Sequence, residues 1–109
     1  MGESSSSGAL TEATYLILLA THKPKHGYAI MKFIQAVTNN RVNLGTGTLY
    51  GALNILLERG WIELYPYNAH SRKKEYIITE TGKETALLEI KRLQSLYTTG
   101  LTILEEAQR

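Results

Sequence analysis

The sequence predicts a mainly helical fold with one small β-hairpin and a long last helix. Three observations carry that prediction. Apolar residues recur at helical spacing in three short segments before residue 60. The period then drops to two in WIELY and KEYIIT, and from residue 80 a single apolar seam runs to the end. The chain has 109 residues, room for one domain with a modest core, because a short chain buries a smaller share of its surface. The expected division is a flexible tail over 1–9, a helical unit with its hairpin over 10–79, and the long helix over 80–109.

The first helix is expected in LTEATYLILLATHK, with Thr11 as N-cap and Leu10, Ala13, Ile17 and Ala20 along one side. Lys23, Pro24 and Lys25 end it. A second helix in HGYAIMKFIQAVTNN places Tyr28, Met31 and Ile34 together, flanked by Ile30 and Val37, and Asn39 and Asn40 terminate it. The third opens at Thr46, whose hydroxyl can cap free N–H groups, and runs to Arg59 with Gly60 as its stop. In the hairpin, Ile62 and Leu64 face one way, and so do Tyr76 and Ile78; Pro66 limits the first strand. For the last helix, Thr81 followed by Glu84 reads as a capping box.

Composition removes whole classes of chemistry. There is no cysteine and no aspartate, and the acids are ten glutamates scattered along the chain. Thiol catalysis, thiolate metal sites and paired-carboxylate chemistry therefore have little to work with. His22 and His26 stand at i and i+4, the spacing of a helical metal pair, but Pro24 between them breaks such a helix. No catalytic group, cofactor or metal site is expected, and with no convergent base and nucleophile an enzyme is disfavoured. No apolar run approaches the roughly 20 residues needed to span a bilayer, and MGESSSSGAL lacks the features of a signal peptide. A cytoplasmic protein with no membrane partner is expected.

The net charge of +2 is unevenly spread, at +1 over residues 1–40, +3 over 41–74 and −2 over 75–109. The basic middle hints at an anionic partner, against the alternative of a merely solvated loop.

Three helices followed by a hairpin is the order of a winged helix-turn-helix, whose third helix enters a DNA major groove while the hairpin loop touches the backbone. On the third helix, Leu49, Leu53, Leu56 and Leu57 face inward, and Gly47, Tyr50, Gly51 and Asn54 fall on the opposite side. Glycines there let the backbone approach phosphates, Thr46 and Thr48 can donate to them, and Tyr50 and Asn54 can reach phosphate or base. Two readings compete: Gly51 serves helix packing, and Tyr50 lies half-buried against the second helix. The hairpin loop supplies His70, Arg72, Lys73 and Lys74 as phosphate contacts, with period two sending Lys73 and Lys74 to opposite sides and pairing one with Glu63 or Glu75. Lys25 and Lys32 are weaker candidates.

Along the last helix Ala86, Ile90, Leu93, Tyr97, Gly100, Leu104 and Ala107 are spaced alternately by four and three. This is an a/d seam, widened by Leu96 and Ile103, and it is longer than the remaining residues can cover. Ile90, Leu93, Tyr97, Gly100 and Leu104 are accordingly expected to pair with a second copy.

HGYAI at 26–30, GTLYGALNILLERGWI at 47–62 and RKKEYIITETGKE at 72–84 together resemble the PadR-type transcriptional regulators from Leu10 onward. The family pattern is matched by Gly47, Thr48, Leu49, Tyr50, Leu53, Leu56, Gly60 and Ile62, and then by Arg72, Lys73, Tyr76, Thr79, Glu80 and Gly82. The resemblance implies a homodimeric winged-helix repressor that binds double-stranded DNA at a pseudo-palindromic operator and dimerises through its C-terminal helix. Some short members hold flat aromatic effectors between subunits with a tryptophan on that helix. Here Leu93 stands at the corresponding position and the only tryptophan is Trp61. Tyr97 and Gly100 then either line an apolar cavity for an aromatic or other small-molecule effector, or simply pack the dimer. The expectation is a sequence-specific DNA-binding repressor; the alternative is a winged-helix protein-interaction module.

Overall fold

The computed structural model describes residues 8–65 and 73–108. In chain order they form α1 (Glu12–Ala20), α2 (Gly27–Val37), α3 (Thr46–Glu58), β1 (Ile62–Leu64), β2 (Tyr76–Ile78) and α4 (Glu80–Ala107). This is a winged helix with a long C-terminal helix, as the alternation of periods predicts.

The three short helices share one centre. Ile17, Leu18, Ile30, Ile34, Leu49, Leu53, Leu56 and Ile62 are at most 2% exposed, and each such burial contributes about 1.5–3 kcal/mol. α1 begins at Thr11, whose hydroxyl oxygen accepts from the Thr14 N–H. Leu10 and Ala13, expected beside Ile17, are only partly buried, since Leu10 lies on the edge where α1 meets α4. In α2 the buried line is Gly27, Ile30 and Ile34, so Tyr28 and Val37 point outward rather than into the core. Asn39 and Asn40 stop the helix with positive φ, a conformation asparagine tolerates.

Two helix starts differ from expectation. α3 has Gly45 as N-cap with no side-chain cap, because Thr46 already lies in the first helical position. α4 begins at Glu80 behind Thr79, not at Thr81. The Thr79 hydroxyl accepts from the Gly82 N–H and donates to the Gly60 carbonyl, tying the helix start to the end of α3. That junction admits only glycine at 82: a Cβ there would stand 2.8 Å from Ile78 Cγ1 and 2.9 Å from the Trp61 carbonyl carbon. α3 itself ends at Gly60 (φ 73°), where the Gly60 and Trp61 N–H groups donate to the Leu57 and Leu56 carbonyls in a Schellman pattern.

The hairpin pairs Ile62 with Ile78, Glu63 with Ile77 and Leu64 with Tyr76, antiparallel. The free edge of β2 is covered by the α1–α2 connection, since Lys25 and Tyr76 exchange backbone hydrogen bonds and Thr21 accepts from Ile78. Ile62, Tyr76 and Ile78 are buried as expected; Leu64 is half exposed, because β1 runs past the core's edge there.

The 28 residues of α4 extend about 42 Å at 1.5 Å per residue, in a molecule 63 Å in its longest dimension. Only Gly82, Ala86 and Glu89 are buried. Glu89 binds the Arg92 guanidinium through two hydrogen bonds of 2.8 and 2.6 Å and accepts from the Leu10 N–H. Arg92 beside it therefore holds its carboxyl below the usual range, outweighing the opposing effect of burial. The carboxylate locks α4 to the start of α1.

Candidate nucleic-acid interface

The outer face of α3 is bare. Thr46, Gly47, Thr48, Tyr50, Gly51 and Asn54 are all exposed, brought together because Leu49, Leu53 and Leu56 take the inner side of the same helix. A Cβ at Gly47 or at Gly51 would meet nothing within 4 Å. Helix packing therefore does not account for Gly51, and the packing alternative is set aside. Without a side-chain cap, the first N–H groups of α3 stay open.

Tyr50 leans back over the start of α2. A Cβ at Gly27 would come within 2.8 Å of Tyr50 Cζ, so the phenol occupies the space that glycine leaves, while the residue keeps 42% of its surface exposed. The half-buried placement against the second helix and an outward position thus hold together. Across from it stands Tyr76 of β2, only 6% exposed; burial first, and Tyr50 nearby, push its phenol pKa up. Lys73 and Lys74 line the same cavity as the two tyrosines, together with His26 and the start of α2. Both precede the regular strand, which begins only at Tyr76, so period two does not govern residues 73 and 74. His70 and Arg72 lie outside the described residues, as do Ser71 and Pro66.

The remaining candidates divide. Lys25 Nζ donates to the Ala20 carbonyl at 2.9 Å and sits 4.6 Å from the Phe33 ring centroid. Burial lowers its pKa, with a smaller contribution from Lys23. It is engaged in holding the α1–α2 connection. Lys32 lies over the exposed Tyr28 ring at 5.5 Å. His26 caps α2, its Nδ1 accepting from the Ala29 N–H at 3.3 Å, and no metal-binding cluster of three or more ligands occurs among the described residues. The cavity around Tyr76 was not legible as a site: HGY shows a helix start and Tyr76 an inward strand position, but nothing in the order of residues puts them side by side.

On α4, Ile90, Leu93, Tyr97 and Leu104 are between 40 and 68% exposed, and nothing stands within 4 Å of a Cβ at Gly100. Leu87, Leu96, Leu101 and Ile103 are exposed beside them. No helix among the described residues is long and apolar enough to cross a membrane.

The family described as transcriptional regulator PadR-like matches residues 16–87, more than half of the chain. Among solved structures, a transcriptional regulator from Clostridium thermocellum is similar at TM-score 0.71 and 23% identity, covering 84% of this chain and 90% of its own. A PadR-like transcription factor from Bacteroides fragilis is similar at TM-score 0.70 and 22% identity, covering 84% and 88%. RosR of H. salinarum is similar at TM-score 0.64 and 20% identity, covering 90% and 94%. No curated protein matches the chain.

Proposed function

This chain belongs to the PadR-like family of transcriptional regulators, which are not enzymes, and from that premise we propose that it is a cytoplasmic repressor binding double-stranded DNA sequence-specifically as a homodimer. The observation that carries this reading is the bare outer face of α3, with Gly47 and Gly51 open to solvent and exposed Tyr50 and Asn54 between and after them. A helix with that surface and a filled inner side fits a major groove without steric conflict, Thr46 and Thr48 donating to phosphates and Asn54 reaching a base edge. Residues 10–79 form the DNA-binding unit, with Lys73 and Lys74 reaching the backbone beside the groove.

The second copy packs on α4. Ile90, Leu93, Tyr97, Gly100 and Leu104 form one side of it, and a two-fold dimer reads a pseudo-palindrome. Leucine at 93 favours a packed seam over an open slot for an aromatic effector. A protein-interaction module would have no need of a glycine-lined outer face.

The test is a selection of bound duplexes from a random pool, followed by binding at several salt concentrations. Paired half-sites are expected one helical turn or a multiple apart. Each phosphate neutralised contributes about 0.9 to the salt slope, so replacing Lys73 and Lys74 together with alanine flattens it by up to about two. Selection of no consensus, or a slope untouched by the double substitution, would overturn the assignment.

A further inference from the structure

The cavity between the start of α2, Tyr50 and β2 has a volume of about 270 Å³ and no carboxylate among its described lining residues. What lines it donates. The N–H groups of Gly27 and Tyr28 open a helix and have no carbonyl one turn earlier to serve, the Ala29 N–H being taken by His26 Nδ1 and that of Ile30 by the His26 carbonyl. Because Nδ1 is the acceptor, neutral His26 carries its proton on Nε2. Lys73 and Lys74 bring positive charge. Tyr76 is 94% removed from solvent, since 6% of it is exposed, yet its hydroxyl has no hydrogen-bond partner among the described residues, a costly arrangement when no ligand takes it up. Its raised pKa keeps the phenol protonated, hence a donor.

We propose that this cavity is a phosphate-binding pocket in which Tyr76, Tyr50, the Gly27 and Tyr28 N–H groups and Lys74 hold the oxygens of one phosphate. The proposal rests on the nucleic-acid reading for its occupant, a single backbone phosphate gripped between the recognition helix and the wing. The same chemistry accepts a free phosphate. Gly27 is then explained by the Tyr50 phenol that takes the place of its side chain, and its N–H donates to a phosphate oxygen.

The test uses the full chain and its Tyr76→Phe and Tyr50→Phe forms. A selected duplex carries a neutral methylphosphonate at each backbone position in turn. In the wild type one position per half-site is expected to weaken binding about ten- to a hundredfold, the range for hydrogen bonds to a charged group. With Tyr76→Phe the unmodified duplex weakens similarly and that position becomes indifferent. In parallel, inorganic phosphate is titrated while the Gly27 and Tyr28 amide resonances are followed. Saturable shifts that vanish in Tyr76→Phe support the pocket, and if no duplex position couples to Tyr76 they assign it to a free phosphate instead. Absence of both the coupled position and the Tyr76-dependent shifts overturns the proposal. If the wild type binds no duplex at all, the nucleic-acid reading falls separately, and the phosphate titration alone decides the pocket. Thermal stability is the control: Tyr76→Phe loses no internal bond and should unfold no earlier than the wild type, and a marked loss would reveal an internal partner and overturn the assignment.

Discussion

The Tyr50 phenol stands where a side chain on Gly27 would have to be: a Cβ there would lie 2.8 Å from Tyr50 Cζ and 3.3 Å from Leu49 Cδ2. Helices α2 and α3 approach closely at that point, and the tyrosine is held by the absence of a methyl group. Gly27→Ala is therefore expected to push Tyr50 outward and to cost about 1–3 kcal/mol, as overpacking does. Combining it with Tyr50→Ala should recover part of that loss. Urea denaturation of the two single variants and the double variant measures the coupling, and strict additivity would contradict the contact.

Gly51 offers the opposite case. It lies within an exposed helical face and nothing surrounds it. Gly51→Ala should stabilise the protein by about 0.8–1 kcal/mol through helix propensity alone. Gly51→Glu should also fold, yet abolish duplex binding by placing bulk and negative charge against the groove. Equal DNA affinity for wild type and Gly51→Glu in a binding titration would show that this face does not meet DNA.

Glu89 predicts a pH dependence. Its carboxyl pKa is depressed in the folded protein, first by the Arg92 hydrogen bonds and further by the Leu10 N–H. A depressed acid contributes stability that is present in full above the unfolded value, ordinarily 4.5. That contribution is lost as pH falls from there through the folded value. Glu89→Gln should thus unfold more easily than the wild type at neutral pH, by about 1.5–3 kcal/mol for lost charge-assisted hydrogen bonds. The difference should shrink under acid. Denaturation midpoints measured across that range check both the sign and the window.

The α4 seam separates folding from assembly. Leu93 and Leu104 are 40 and 62% exposed and stand outside the core. Leu93→Glu should accordingly leave helical content unchanged while converting a dimer to a monomer. Light scattering at micromolar concentration reads the mass, and circular dichroism reads the fold. A wild type already monomeric under those conditions would remove the dimer from the proposal.

Much of this was legible along the chain because it depends on near neighbours. Thr11 caps the first helix, Gly60 ends the third and Leu49, Leu53 and Leu56 face inward, since caps and helical periodicity are set within a few residues. The readings that missed depend on contacts distant in sequence. Thr79 displaced Thr81 as the cap of α4 because its hydroxyl also reaches the Gly60 carbonyl, 19 residues away. Tyr28 turned outward because Gly27, not Tyr28, is the residue that α3 approaches. Lys25 folds back on the α1–α2 connection because the Ala20 carbonyl and the Phe33 ring engage it.

By itself, then, the sequence determined the order and kind of the elements, the glycine-lined outer face of α3 and the apolar seam of α4, all of them properties of periodicity and residue type. Only the tertiary structure decided which polar groups share a space. Tyr76 and Tyr50 meet beside the start of α2 because the hairpin folds back and pairs with Lys25. The sequence does not encode that pairing locally, since the backbone hydrogen bonds that create it join positions 51 residues apart.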